Sequence, residues 1–440
     1  MKKIISMIIL CIMLLPTVLA DGMIIDYYDR YWHIHGEEQQ LAAINYQSGY
    51  QDMILSVDLN EIRGEKAVWL FPVPANPEKT VIDIVNDVPR FGGYDVKQQA
   101  ERKIRMTFDT IRASQIYPLP FHRRYFFGTM STGVLEATGV MAKEAGITIH
   151  EHIEKYGLTT ELVSTEDGTI LWNYLALKGL ELPETSKAVM NDYIGEDHSF
   201  VVSWISKPEE YVVEPRPDPY PYYRRRRIGV QIMFPTDKIF FPLKPTSVYG
   251  SKRVPALLYV NGHVTPELYP EIELDSEVKY FVNNQLRHES FNNVRDYTLI
   301  RINPPSKFLT KDLWINNKAP ADIARTKIIA EHTFAIGLAV FILASMIASL
   351  FAGIIFFRRD VSWIKLAFFG LWNLLTIIGF MIAVVFLKTK QIDSKFAKQL
   401  KEKGLIIRAR DIRKLGFVIV FSISFVVLTF VFEYSLKLLF

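Results

Sequence analysis

Nine histidines occur in this 440-residue chain, and four of them form two His-x-His pairs, His33/His35 and His150/His152. Residues two apart on a strand face one side, so each pair offers two imidazoles to a single metal ion. Around the second pair, Glu154 shares the face of His152 while Glu151 lies on the other. The run His150-Glu-His-Ile-Glu154 is not the His-Glu-x-x-His of zincins, because Glu154 stands where the second histidine belongs. If the two strands adjoin, both pairs reach one ion, and the chemistry is that of a metal-dependent hydrolase. The plainer alternative is a surface strand with polar outward positions.

Other catalytic patterns fail on spacing or on position. Gly128-Thr-Met-Ser131-Thr-Gly133 holds one residue too many for a nucleophile elbow. Ser362-Trp-Ile-Lys365 has Ser-x-x-Lys spacing but abuts an apolar run. The sole cysteine, Cys11, lies in the opening apolar stretch, so a chain cleaved after that stretch has no thiol for a disulfide, a nucleophile or a zinc site. No glycine-rich phosphate loop occurs, and no cofactor is indicated. The balance leans away from an enzyme.

What must hold any site is a membrane region. Phe334–Phe357, Leu366–Leu387 and Leu415–Phe432 are free of charged side chains over 24, 22 and 18 residues. About 20 apolar residues cross the hydrocarbon layer as a helix, so each reads as a transmembrane helix. Residues 1–20 have the form of a secretory signal: Lys2 and Lys3, the apolar Ile4–Leu15, and Ala20 before Asp21. Residues 21–330 are then exported and the chain is a multi-pass cell-membrane protein. The net charge of +4 is uneven: residues 331–440 carry 14 Lys/Arg against 6 Asp/Glu, and residues 21–330 carry 35 against 41. An acidic body does not fit nucleic acid, whose phosphates need a basic face.

The charges also pose a conflict. With an exported body, the link Arg358–Lys365 is cytoplasmic, which suits its net +2. The loop 388–414 would then face outward, although its 10 Lys/Arg against 3 Asp/Glu belong inside. Ile392, Phe396 and Leu400 recur every four residues among lysines, as on a helix lying on an anionic lipid surface. The orientation of the last two spans is open, and one of them could enter without crossing. On the first span, Ala344, Ala348 and Ala352 form one ridge, with Ser345, Ser349 and Gly353 beside it. Such small residues invite close approach of another span, a membrane-protein partner or a second copy.

The body reads as an exported α+β domain with mixed or antiparallel sheets and short helices, followed by the three transmembrane α-helices. Strands are expected at Leu41–Gln47, Met53–Leu59 and Ala67–Val73, the last an edge strand because of Pro72 and Pro74. Ala100, Ile104, Phe108 and Ile111 make a helical stripe over Val96–Ala113. A Gly/Ala/Thr-rich connector, Gly128–Gly146, divides residues 21–145 from a second subdomain, 146–330. The second half opens with strands Ile147–Ile153 and Leu158–Ser164, then two helices ending at Gly179 and Gly195, then further strands. The proline- and arginine-rich insertion 214–227 reads as a protruding tip.

Asp21-Gly-Met-Ile-Ile, Ile54-Leu-Ser-Val, Trp69-Leu-Phe-Pro-Val-Pro, Phe234-Pro-Thr-Asp and Phe241-Pro-Leu-Lys-Pro-Thr resemble segments of a known family. It is the uncharacterised exported family catalogued as domain of unknown function 2330, and the resemblance covers residues 21–265. It implies an exported envelope protein and carries over no functional residue. The expectation is a membrane-anchored envelope protein whose body binds or scaffolds something outside. The alternatives are the metal-dependent hydrolase and an accessory subunit of a membrane complex.

Overall fold

A computed structural model describes residues 23–28, 31–35, 40–57, 66–113, 142–144, 147–195, 197–207, 228–284, 291, 294–357, 361–387, 399, 402 and 409–439. The expected signal, the insertion 214–227, most of the Gly128–Gly146 connector and the amphipathic start of the basic loop lie outside these residues. The chain divides into two compact units, residues 1–95 with 131–320, and residues 96–130 with 321–440.

The first unit is built on two large sheets. The seven-stranded sheet runs β2 (Tyr31–His35), β1 (Met23–Tyr28), β5 (Lys66–Val73), β11 (Ser199–Ile205), β10 (Leu158–Ser164), β9 (Ile147–Lys155) and β8 (Ala142–Glu144), all antiparallel. The eight-stranded sheet runs β6 (Val81–Val85), β12 (Ile228–Pro235), β4 (Tyr50–Val57), β3 (Gln40–Gln47), β14 (Ala256–Asn261), β17 (Tyr297–Ile302), β16 (Ser276–Val282) and β7 (Tyr94–Asp95). Its β3–β14 pair is parallel. A small sheet joins β13 (Ile239–Phe241), β18 (Leu313–Asn316) and β15 (Thr265–Pro266). Period-2 alternation decides which face each strand buries. Trp69, Phe71, Leu162 and Val201 from one large sheet meet Ile44, Met53, Val230, Phe234 and Leu258 from the other in a continuous core.

Strands from either side of residue 145 share both large sheets, so the division into subdomains 21–145 and 146–330 does not follow the sheet architecture. Nor is β5 an edge strand, since it lies between β1 and β11. Among the described residues β1 pairs with β5 from Lys66 to Leu70, and Pro72 stands opposite Phe200 of β11.

The outer face of the seven-stranded sheet carries two helices, α2 (Gly168–Leu177) and α3 (Glu184–Asn191). Asp167 caps α2 by accepting the Thr169 N–H, and Gly179 takes the left-handed φ of 74° that stops the chain beyond it. Leu171, Leu175 and Met190 bury against Leu70, Phe200 and Val202. On the outer face of the eight-stranded sheet, Phe91 stacks on Tyr259 and Tyr297 stacks on Phe281.

The second unit is helical. It comprises α1 (Val96–Ala113), α5 (Ala321–Glu331), α6 (Thr333–Phe357), α7 (Trp363–Phe369), a 3-10 segment Gly370–Leu375, α8 (Thr376–Phe386) and α9 (Ala409–Lys437); the four-residue α4 (Pro270–Glu273) belongs to the first unit. Three stretches, Thr333–Phe357, Trp363–Phe386 and Asp411–Lys437, are long and apolar enough to cross a membrane. The expected stripe Ala100, Ile104, Phe108 and Ile111 of α1 is buried. It serves this unit: Thr107 and Ile111 close on Gly337 of α6, and Lys103 reaches the carbonyl of Ala330.

The small-residue ridge of α6 is filled by the chain's own helices. Ala344, Ala348 and Ala352 bury in one cluster with Phe417, Phe421 and Phe425 of α9. On the neighbouring row, a Cβ at Gly353 would strike Leu366, the Ser349 hydroxyl donates to the Leu366 carbonyl at 2.6 Å, and Asn373 donates to Ser345 at 3.0 Å. Gly370 sits so close to the Ser345 carbonyl that no Cβ fits between them. Gly370→Ala is therefore expected to destabilise the detergent-solubilised chain by about 1–3 kcal/mol through overpacking, read as a lowered midpoint of thermal unfolding.

Candidate functional site

The polar cluster with the most converging side chains lies under α2. Glu161 of β10 stands opposite His152 of β9 and Val202 of β11, on the face that the helix covers. It is 1% exposed. Tyr174 and Lys178, four apart along α2 and its C-terminal cap, lie on one helix face and both reach down to it. Tyr174 Oη donates to Oε2 at 2.6 Å, and Lys178 Nζ donates to Oε1 at 2.9 Å. His152 Nδ1 lies 2.8 Å from the same Oε1. The Lys178 ammonium also sits 4.9 Å from the rings of both Tyr174 and Trp204, a cation–π arrangement. A buried carboxylate is thus neutralised by one full charge and held by three bonds.

The outer rim of this cluster is open. The His152 side chain is 47% exposed, and its Nε2 lies 3.4 Å from Glu154 Oε1. Thr159, opposite both Glu154 and Trp204, has a buried hydroxyl with no hydrogen-bond partner among the described residues. The chemistry available is an imidazole oriented through Nδ1 by a buried carboxylate, with Nε2 near Glu154. Such a group can accept or donate one hydrogen bond, or move one proton.

His150 and His152 do not share one face. The β9–β10 register shifts between Leu162 and Val163, leaving His150 as the extra residue of a bulge. His150 Nε2 lies 2.8 Å from Ser164 Oγ, whereas His152 bonds Glu161. Residues 161 and 164 differ by an odd number along β10, so the two imidazoles reach opposite faces. Burial pushes the pKa of His150 down, against a smaller upward pull from Glu78. His33 and His35 stand opposite Asp26 and Ile24 in the β1–β2 register. Four strands separate β2 from β9, about 24 Å of sheet, so the two pairs do not adjoin. Among the described residues no group of three or more His, Cys, Asp or Glu is placed to hold a metal ion.

Outside this cluster, burial raises the pKa of Asp312 and Asp52 to about 6. Asp312 is pushed up to about 6 by burial, although it accepts from Tyr193 Oη at 2.8 Å and the Lys244 N–H at 2.9 Å. Asp52, on the outer face of the eight-stranded sheet, is pushed up to about 6 by burial against a bond from Gln231 at 2.9 Å. The folded state binds the Asp52 proton more tightly than the unfolded chain, so this group favours folding below about pH 4 and that contribution is lost as pH rises through 6. Asp52→Asn keeps an acceptor for Gln231 and removes the charge. It should match the parent at pH 4 and exceed it by about 1–3 kcal/mol at pH 8, measured by denaturant unfolding at both pH values.

Sequence reasoning missed Glu161, Tyr174, Lys178 and Trp204. The i, i+4 spacing of Tyr174 and Lys178 was a usable signal; the cross-strand pairing with Glu161 was not, because the bulge sets it. The fold is a face-to-face pair of sheets joined in one chain to a bundle with three membrane-length apolar stretches. No protein-family model, curated protein or solved structure matches it.

Proposed function

We propose that this chain is a multi-pass membrane protein whose two-sheet body is exported and works as a binding or scaffold module. One observation carries the membrane half: the helical unit is inside-out. Phe351, Ile355, Phe386, Ile423 and Val427 face outward, while Ser345, Ser349, Asn373 and Thr429 are buried. An apolar belt of that extent is at home among lipid tails and a liability in water. Export rests on the form of residues 1–20, the thiol-free remainder and the resemblance over residues 21–265 to the family catalogued as domain of unknown function 2330. Binding rather than turnover is supported by the closed state of the Glu161 network, whose carboxylate oxygens are both taken by the chain's own donors.

The test uses the full chain, because α1 interrupts the body sequence and its apolar stripe packs in the helical unit. Washing membranes at alkaline pH should leave the chain in the pellet, and release into the supernatant overturns the membrane reading. The chain solubilised in detergent should leave cell-wall polymers and peptide libraries unhydrolysed. Reproducible turnover, abolished by His152→Ala, would make it an enzyme instead.

A further inference from the structure

The middle apolar stretch is not a straight helix. Trp363–Phe386 is 24 residues long, enough to cross by length and composition. It is broken into α7, the 3-10 segment Gly370–Leu375, and α8. At the break Thr376 takes φ 72° and ψ 169°, a conformation that no β-branched residue adopts in continuous helix. Side-chain contacts trace where each limb goes. In the first limb, Leu366 meets Gly353, Gly370 meets Ser345 and Ser349, and Asn373 bonds Ser345. This limb therefore climbs α6 from its C-terminal end toward its middle. Ser345 lies about 18 Å from Phe357 along the axis, at 1.5 Å per residue.

The second limb goes back. Phe380 stacks on Phe421 at 3.9 Å between ring centroids and on Phe417 at 5.6 Å, and the Lys414 ammonium bonds the carbonyl of Val385. On α9, residues 413 and 416 are the ones that meet the end of α6, through Arg413 on the Phe356 carbonyl at 2.9 Å and Gly416 on the Phe356 ring. Farther along α9, Phe425 at its middle packs on Phe341 in the first half of α6 at 5.3 Å. So α6 and α9 are antiparallel, and both ends of Trp363–Phe386 lie beside the C-terminal end of α6. Its turn is at mid-length of α6.

We propose that Trp363–Phe386 is a re-entrant hairpin and that the chain crosses the bilayer twice. This inference rests on the membrane reading above. Each limb is about half the ~30 Å hydrocarbon thickness. Irregular backbone at that depth is tolerated where it is buried in protein, and here Gly370 and Asn373 are buried against Ser345 and Ser349 of α6. The charges then agree. Residues 358–365 and the 10 Lys/Arg of 388–414 fall on the same side, opposite the start of α6, where the positive-inside preference puts them.

Single cysteines at Glu331, Asp360, Ser394 and Leu439 in a Cys11→Ser chain test this with a thiol reagent that cannot cross membranes. Three crossings put 331 and 394 on one side and 360 and 439 on the other. The hairpin pairs 360 with 394, and 331 with 439. We expect 331 and 439 to react in intact cells, and 360 and 394 only after permeabilisation. Reaction of 394 together with 331, or of 439 together with 360, overturns the proposal. Alkaline washing of the same samples separates the two failures, because a chain released by the wash refutes the membrane reading itself. Ser394 and Leu439 are independent positions, so misfolding of one variant leaves the other decisive.

Discussion

Replacing Arg112 with alanine is expected to cost the solubilised chain about 2–4 kcal/mol, one of the two largest losses among single changes outside the cores. Glu433 is 7% exposed near the end of α9, and Arg112 of α1 donates to it at 2.8 Å. The same guanidinium bonds Asp109 at 2.7 Å and lies 4.2 Å from the Phe430 ring, so truncation also strips packing. Removing one member of a buried pair leaves a charge without its counter-ion, at about 3–5 kcal/mol. Lys437 still holds Glu433 at 2.6 Å, which lowers the expected figure. A double-mutant cycle with Glu433→Leu discriminates. The double variant should lose clearly less than the sum of the singles, whereas additive losses would mean that the two side chains act independently. The readout is thermal unfolding of the full chain in one detergent, with lipid-free and lipid-supplemented samples compared.

That pair shows where legibility ends. The stripe of α1 was readable from its 3.6 period, because burial of one face leaves a periodic trace in sequence. Which partner it buries against leaves none, since Leu and Ile look alike to any apolar surface. Glu433 falls one residue beyond the charge-free run Leu415–Phe432, so hydropathy passed over it. The break at Gly370–Thr376 inside the run Leu366–Leu387 was not legible, because composition does not register a turn. In the hairpin proposed above, the charge conflict in 388–414 is the long-range trace of that break rather than a local signal. In the first unit the strands of residues 40–73 and 199–234 were legible from alternation and flanking glycines. β6, β17 and β18 were not, being short stretches next to proline-rich segments. The pairing of His150 with His152 failed for one reason: period 2 holds only while the register is unbroken, and a bulge shifts it.

Glu161→Ala is expected to rank with Arg112→Ala, at about 3–5 kcal/mol, because it strands three donors at once. Lys178 would keep its ammonium between two rings with no counter-charge, and the Tyr174 hydroxyl and His152 Nδ1 would lose their acceptor. Glu161→Gln preserves the shape but turns a donor toward a donor, so it should recover only part of the loss. Pairing Glu161→Leu with Lys178→Met removes both charges and should lie closer to the parent than Glu161→Ala does. His152→Ala behaves differently. Tyr174 and Lys178 continue to satisfy the carboxylate, and the imidazole is half in solvent, so the cost should stay within about 1 kcal/mol. Denaturant unfolding followed by tryptophan fluorescence gives all four values. A result in which His152→Ala destabilises as much as Glu161→Ala would make the imidazole part of the lock. The expected split leaves His152, beside Glu154, as the one member of the network that can change without unfolding the sheet. That freedom is what a contact surface needs.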